Sequence, residues 1–196
     1  MPSKKATGRR RSEEARNAIL NAARKLVLKS GFAALSMEGI AAQAGVGKQT
    51  IYRWWPSKGA VVFDALLNES DGDAGGALPD TGDFARDLRT MLRATVDALS
   101  EPSRDALFRA LAADAQSDPG MAQEMFNRLI GPQQEATRTW LKRARTAGHL
   151  RTGVDLDVAV ELVFGPVFRR WFLKTGALDR KFADRVTELV AHAVQR

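Results

Sequence analysis

Apolar residues recur at Ala15, Ala18, Ile19, Ala22, Ala23, Leu26 and Val27, steps of three and four that lay one stripe along an α-helix. Ser12 is a good N-cap, and Glu13 and Glu14 suit the positive end of the helix dipole, so the helix is expected to start there and to stop at Gly31. Ser36 opens a second, short helix with Ile40, Ala41 and Ala44 inward, and Gly45 supplies its left-handed stop. After Gly45-Val46-Gly47 a third helix, Lys48 to about Trp54, has Ile51 and Trp55 four apart as anchors and an otherwise polar face. Pro56 halts it, and Ser57 caps a fourth helix through Ala60, Val61, Phe63 and Leu67.

Residues 71–82 are rich in turn formers and read as a linker. They resemble a calcium loop only superficially, since Gly75 and Gly82 stand where oxygen ligands belong. Beyond the linker, Phe84 to Leu99 predicts one helix, Pro102 opens another, and Pro119 opens a long one that Gly131 and Pro132 should kink or divide. Asp155 to Phe172 is apolar on nearly every side, whereas Phe182, Val186, Leu189, Val190 and Ala193 form a cleaner stripe. No segment reads as a strand. The expectation is an all-α chain of about nine helices. A helix apolar all round needs cover on two sides, and a second subunit is a natural source of it, which predicts a homodimer.

Composition removes several classes of function. The 196 residues are 44% hydrophobic and 27% charged, so neither disorder nor a fibrous repeat is indicated. The chain has no cysteine and two histidines, His149 and His192, so a thiolate nucleophile is impossible and neither a zinc site nor any other cofactor is expected. No apolar core of a secretory signal follows Met1, and the stretch from Val158 to Leu173 is too polar and too short to span a bilayer. A cytoplasmic protein without a membrane partner is expected.

Charge changes the picture more. Residues 1–60 carry twelve Lys and Arg against three acids, a net +9, so that the rest of the chain, at −2, holds none of the overall +7. That is the footprint of a part that meets a polyanion joined to a part that does not. A helix, a glycine turn and a second short helix with a polar outer face form a helix-turn-helix, whose second helix can enter the DNA major groove. Its outward residues Lys48, Gln49, Thr50, Tyr52 and Arg53 have matching base-edge or backbone partners.

At Ala22-Ala23-Arg24-Lys25-Leu26, Gly31-Phe32, Leu35-Ser36-Met37, Ile40-Ala41, Ala44-Gly45-Val46 and Thr50 through Lys58, the sequence strongly resembles the DNA-binding domain of the TetR family of bacterial transcriptional regulators. The usual aromatic pattern before the lysine is replaced by the bulkier Trp54-Trp55. The resemblance implies base contacts from Lys48, Gln49, Thr50 and Arg53, and phosphate contacts from Ser36, Tyr52, Trp54 and Lys58, with Trp54 divided between the backbone and the core. A basic arm, Lys4, Lys5, Arg9, Arg10 and Arg11, would add phosphate or minor-groove contacts.

It also implies a division into a flexible arm (1–11), a DNA-binding domain (12–58), a connecting helix (59–70), a linker (71–82) and an effector-binding and dimerisation domain (83–196). Dimer contacts are expected at Val163, Val167, Trp171, Val186, Leu189 and Val190. Met91, Phe108, Met125, Phe126, Trp140, Phe164 and Phe168 are candidates to line a pocket for a small-molecule effector of apolar character. The implied output is repression of transcription through a palindromic operator, released by that effector. Catalysis is not expected: Gly45-Val46-Gly47-Lys48 lacks the earlier glycine of a phosphate loop, where Ala42 sits, and the third glycine of a dinucleotide fold, where Thr50 sits. The alternative is a nonspecific DNA-coating protein, which would show no sequence preference.

Overall fold

The computed structural model describes the backbone of residues 4–70 and 78–196, and the side chains of residues 10, 12–68 and 78–196. The described residues are helical: α1 (Lys4–Ser30), α2 (Met37–Ala44), α3 (Lys48–Trp54), α4 (Lys58–Ser70), α5 (Phe84–Ser100), α6 (Pro102–Ala115), α7 (Pro119–Met125), a π-helical stretch (Phe126–Ile130), α8 (Gly131–Thr146), α9 (Leu156–Leu173) and α10 (Arg180–Val194). The α7, π and α8 segments follow one another without a break, so the expected nine rods are found. The one β feature among the described residues is an isolated antiparallel bridge between Leu150 and Gln195.

Two boundaries differ from those expected. The first helix does not wait for Ser12 but runs from Lys4. Lys, Arg and Ala are strong helix formers, and Arg10 donates to Glu14 one turn on at 3.0 Å, so the basic segment continues the helix instead of forming a flexible arm. The domain division also changes. One compact unit comprises residues 1–75 and 102–125, the other residues 76–101 and 126–196. Thus α6 and α7 belong with the N-terminal helices, not with the rest of 83–196, because they pack on α1 and α4. Gly59 permits the approach: a Cβ there would lie 2.9 Å from Met121 Cε and would overlap the Asp114 carboxylate.

In the first unit the core is Ile19, Ala23, Ile40, Ile51, Val61, Phe63, Leu66, Leu107 and Leu111, all but fully enclosed. The stripes that predicted α1, α2 and α4 are the stripes that meet there.

The second unit starts from a tethered segment. Of the expected linker, residues 71–77 lie outside the described residues, but Thr81 donates its N–H and its hydroxyl to the buried Asp87 carboxylate at 2.8 and 2.7 Å. Pro79 accepts from Trp140 Nε1 at 2.9 Å, and the Trp140 ring stacks on Phe84 at 4.9 Å. The predicted kink at Gly131-Pro132 takes the form of the π-helical turn. Pro132 offers no N–H, and its ring would press on the carbonyl four residues back in a regular helix, so the backbone widens instead. Leu88, Leu92, Leu141, Val163, Val167 and Ala183 fill the centre of this unit.

Its α5–α10 seam is antiparallel and laced by charge. Arg93 grips Asp184 with two hydrogen bonds of 2.8 Å, and Arg180 grips Asp97 with bonds of 2.7 to 3.1 Å. The guanidinium hydrogen bonds, ahead of the Coulombic attraction, hold both carboxyls below the usual aspartate range. A lowered carboxyl pKa stabilises the fold above the ordinary titration range and loses that effect as pH falls through the lowered value. The midpoint of thermal unfolding is therefore expected to fall as pH drops below about 4, the unperturbed aspartate value. In an Asp97→Asn, Asp184→Asn double variant this fall should be shallower, with the two curves converging at the acid end; an unchanged acid slope would contradict the assignment.

Candidate nucleic-acid interface

The candidate surface is built on α2, the turn and α3. Ser36 lies in extended conformation and its Oγ accepts from Gly39 N–H at 3.1 Å, which caps α2 and satisfies one of its free donors. At the other end Gly45 takes φ 68°, and the Gly45 and Val46 amides return to the carbonyls of Ala42 and Ala41 at 3.2 and 3.0 Å. This left-handed cap turns the chain in three residues. Gly47 then precedes α3, which is pinned through Ile51, fully buried, and Trp55, nearly so.

A small network fixes the end of α3. Trp55 Nε1 donates to Asp64 Oδ2 on α4 at 3.0 Å, and Arg16 of α1 donates to the same oxygen at 3.1 Å. The Arg16 guanidinium also lies over the Trp55 ring, 5.9 Å from its centroid. Helices α1 and α4 and the α3 terminus are thereby tied at one carboxylate.

With the inner face so committed, Lys48, Gln49, Tyr52 and Arg53 are exposed and Thr50 is half-buried, so the five residues singled out from the sequence share an accessible side of α3. Glu38, a residue that sequence reasoning did not single out, reaches this face from α2. Its carboxylate pairs with Lys48 Nζ at 3.4 Å. Its own backbone N–H, followed by Lys48 and then the Tyr52 hydroxyl, holds the Glu38 carboxyl below its usual value. An acid two residues beyond an N-cap was the available signal, but it reads as a dipole partner first. Trp54 is half-buried, packed edge-on against Trp55 at 5.6 Å, with the Arg53 guanidinium over its other side at 5.2 Å. Of the basic residues of the expected arm, Arg10 is exposed; the side chains of Lys4, Lys5, Arg9 and Arg11 lie outside the described residues.

Lys58, expected at a phosphate, makes its contacts within the head. Its ammonium donates to the carbonyls of Phe32 and Leu35 at 3.0 and 3.1 Å and sits 4.5 Å from the Phe32 ring centroid. Neither carbonyl belongs to a helix, and the Phe32 carbonyl also accepts from Leu35 N–H at 3.1 Å, so the ammonium braces the α1–α2 connection from inside the head.

The other two residue sets also redistribute. Among the expected dimer contacts, Val163, Val167, Trp171, Val186 and Val190 are buried within the chain itself, and only Leu189 is exposed, at 73%. The stripe that α9 leaves open is instead Val158, Leu162, Arg169 and Phe172, at offsets of four, eleven and fourteen. Because α9 is apolar all round, its sequence marks both faces alike and cannot tell which one the chain's own helices cover. The seven candidate pocket residues do not fall in one unit: Phe108 and Met125 lie in the first, and Met91, Phe126, Trp140, Phe164 and Phe168 in the second. Phe126 is exposed and Trp140 is engaged in its stack on Phe84, whereas Phe164 and Phe168 are neighbours at 6.4 Å.

The chain is similar to known proteins over nearly all its length. Residues 19–65 match the model of bacterial regulatory proteins of the tetR family, and residues 78–190 match that of the tetracyclin repressor-like C-terminal domain. The HTH-type transcriptional regulator YdeS of Bacillus subtilis is 35% identical over 187 residues, covering 95% of this chain and 91% of the relative. A DNA-binding transcriptional repressor, TetR of Mycobacteroides abscessus, is 28% identical across 91% of this chain and 92% of its own. Among solved structures, the TetR family transcription regulator SCO0332 superposes with a TM-score of 0.72 at 30% identity, over 93% of this chain and 100% of that one. A regulator from Mesorhizobium loti gives the same TM-score of 0.72 at 20% identity, over 93% and 96%, and so shows the fold alone. No described helix is long and apolar enough to cross a membrane.

Replacing Lys58 by methionine keeps most of the stem and removes the ammonium, taking one donor from each of two carbonyls and leaving the Phe32 carbonyl with Leu35 N–H. Unfolding free energy is expected to drop by about 1 to 3 kcal/mol. A variant of unchanged stability and weakened DNA binding would return Lys58 to a phosphate role.

Proposed function

The chain belongs to the TetR family of bacterial DNA-binding transcription regulators, and from that premise we propose that it is a homodimeric repressor that grips a palindromic operator and lets go when a small molecule binds. The observation that carries the reading is the division of α3 into a pinned inner face, Ile51 and Trp55, and an outer face of Lys48, Gln49, Thr50, Tyr52 and Arg53. Arg53 is suited to the paired acceptors of guanine, Gln49 to adenine, Thr50 to a thymine methyl, and Tyr52 to the phosphate backbone. Ser36, at the start of α2, and the basic N-terminal turns of α1 add backbone contacts. Lys48 reaches the DNA by exchanging Glu38 for a phosphate or base acceptor.

A homodimer is supported by the exposed stripe on α9. Val158 and Phe172 are 63% and 56% accessible in the single chain, with Leu189 of α10 more so. A Cβ placed on Gly165, on the same side, meets no atom within 4 Å, so a helix from a second copy can come close there. Twofold pairing would set two α3 helices about one turn of DNA, roughly 34 Å, apart and so match a palindrome. Repression is supported by the name of the M. abscessus relative.

An apolar effector would sit within the second unit beside Phe164 and Phe168, with no metal or cofactor needed. The chain passes between the two units at residues 75/76, 101/102 and 125/126, and α6 and α7 travel with the head. A ligand that favours one arrangement of the second unit acts on the head through those crossings, to the extent of its differential affinity, about 1 to 3 kcal/mol.

Selection from random duplexes is expected to return a twofold-symmetric site preferred by about 10³-fold or more over random DNA. On it, Arg53→Ala should flatten the preference at one position of each half-site and cost about 1 to 3 kcal/mol. Equal binding to all duplexes would leave the nonspecific coating protein as the better reading. Separately, a Leu162→Glu, Leu189→Glu variant, both substitutions on exposed positions, should sediment as a folded monomer and lose most of its operator affinity. A variant that stays dimeric would move the interface elsewhere.

A further inference from the structure

We propose that Trp54 is a positioning residue for Arg53: it holds the guanidinium ready for a base edge and so determines how sharply one base pair of the operator is read. This rests on the reading that Arg53 contacts a base.

Arg53 is the basic residue in the last turn of α3, and its side chain is exposed. A free arginine in that place samples many rotamers, and a bidentate contact to guanine demands a planar fork held in one of them. The structure supplies the restraint. The Arg53 guanidinium carbon lies 5.2 Å from the Trp54 ring centroid, inside the range of a cation–π contact, and tryptophan has the strongest such face.

The ring is itself held. Trp54 meets Trp55 at 5.6 Å with planes 87° apart, an edge-to-face packing. Trp55 is buried and its Nε1 is fixed on Asp64, which also takes Arg16. A chain of contacts therefore runs from the interior of the head to the guanidinium: Asp64 sets Trp55, Trp55 sets Trp54, and Trp54 sets Arg53.

The test is a double-mutant cycle on the full-length protein, with wild type, Trp54→Leu, Arg53→Ala and the double variant. Binding is measured to the selected operator and to its single-base variants at one salt concentration, with thermal unfolding followed alongside. With Arg53 present, Trp54→Leu is expected to weaken the operator about three- to tenfold. It should flatten preference at the same position that Arg53→Ala flattens, and should leave the other positions and the melting temperature nearly unchanged. In the Arg53→Ala background it should cost less than twofold. Trp54→Phe, which keeps an aromatic face, should recover part of the lost discrimination.

Equal losses from Trp54→Leu in both backgrounds would overturn the proposal and make Trp54 a DNA contact or a packing residue. A uniform loss over all base variants would do the same. If Trp54→Leu melts early, Trp54→Met, which keeps bulk without an aromatic face, takes its place in the cycle, and additivity there is again fatal. If Arg53→Ala leaves preference intact at every position, the base-reading role of Arg53 fails and this inference falls with it, which separates the two failures.

Discussion

The head of this regulator is organised around one carboxylate. Asp64 Oδ2 receives Trp55 Nε1 and the Arg16 guanidinium, so a residue of α4 fixes both the end of α3 and the side of α1. A half-buried acid with two donors is well satisfied, and loss of either donor would leave its charge poorly solvated. The orientation of α3 follows from this contact together with the enclosed Ile51, and the outward face follows from the orientation. Nothing about the outer residues themselves sets their direction. The Lys58 strut does the same for the α1–α2 connection, where its ammonium joins the Phe32 and Leu35 carbonyls.

A second theme is that sequence order and packing order disagree. The chain leaves the head at α4, builds α5 in the second unit, and returns to place α6 and α7 on α1 and α4 before departing again. Gly59 is where that return is closest, since any side chain there would meet Met121 and Asp114. The arrangement gives the head a share of the C-terminal sequence, so a division of labour drawn by residue number misplaces two helices. The second unit is bound more by its α5–α10 seam, where alternate arginines and aspartates interlock over an apolar layer, than by any of its shorter contacts.

What could be read in the sequence was what local chemistry decides. Ser36, Ser57, Asp155 and Asp179 each cap the helix that follows, and Gly45 turns left-handed where the helix-turn-helix needs it. The recognition face was legible because Ile51 and Trp55 are apolar and their neighbours are not. Contacts between distant residues are legible to a lesser degree. Lys58 looks the same in sequence whether its ammonium meets a phosphate or two carbonyls, because the partners Phe32 and Leu35 are far along the chain. On α9, Val163 and Leu162 are equally apolar, and only the placement of α5, α8 and α10 decides that the first is enclosed and the second open. Helix α1 starts ahead of its expected capping serine because six of the eight residues before Ser12 are Lys, Arg or Ala, which are strong helix formers.

The π-helical stretch carries one more implication. It lies between Met125, whose side chain is buried in the first unit, and Trp140 and Leu141, buried in the second. Each residue of an ordinary helix advances the surface by about 100°, whereas the wider turn advances it less, so the π-helical stretch resets the phase from which α8 presents Trp140 and Leu141 to its own unit. Within α8 no such slack remains, since losing a single residue between Pro132 and Trp140 would swing the Trp140 ring off Phe84 by more than a quarter of a revolution.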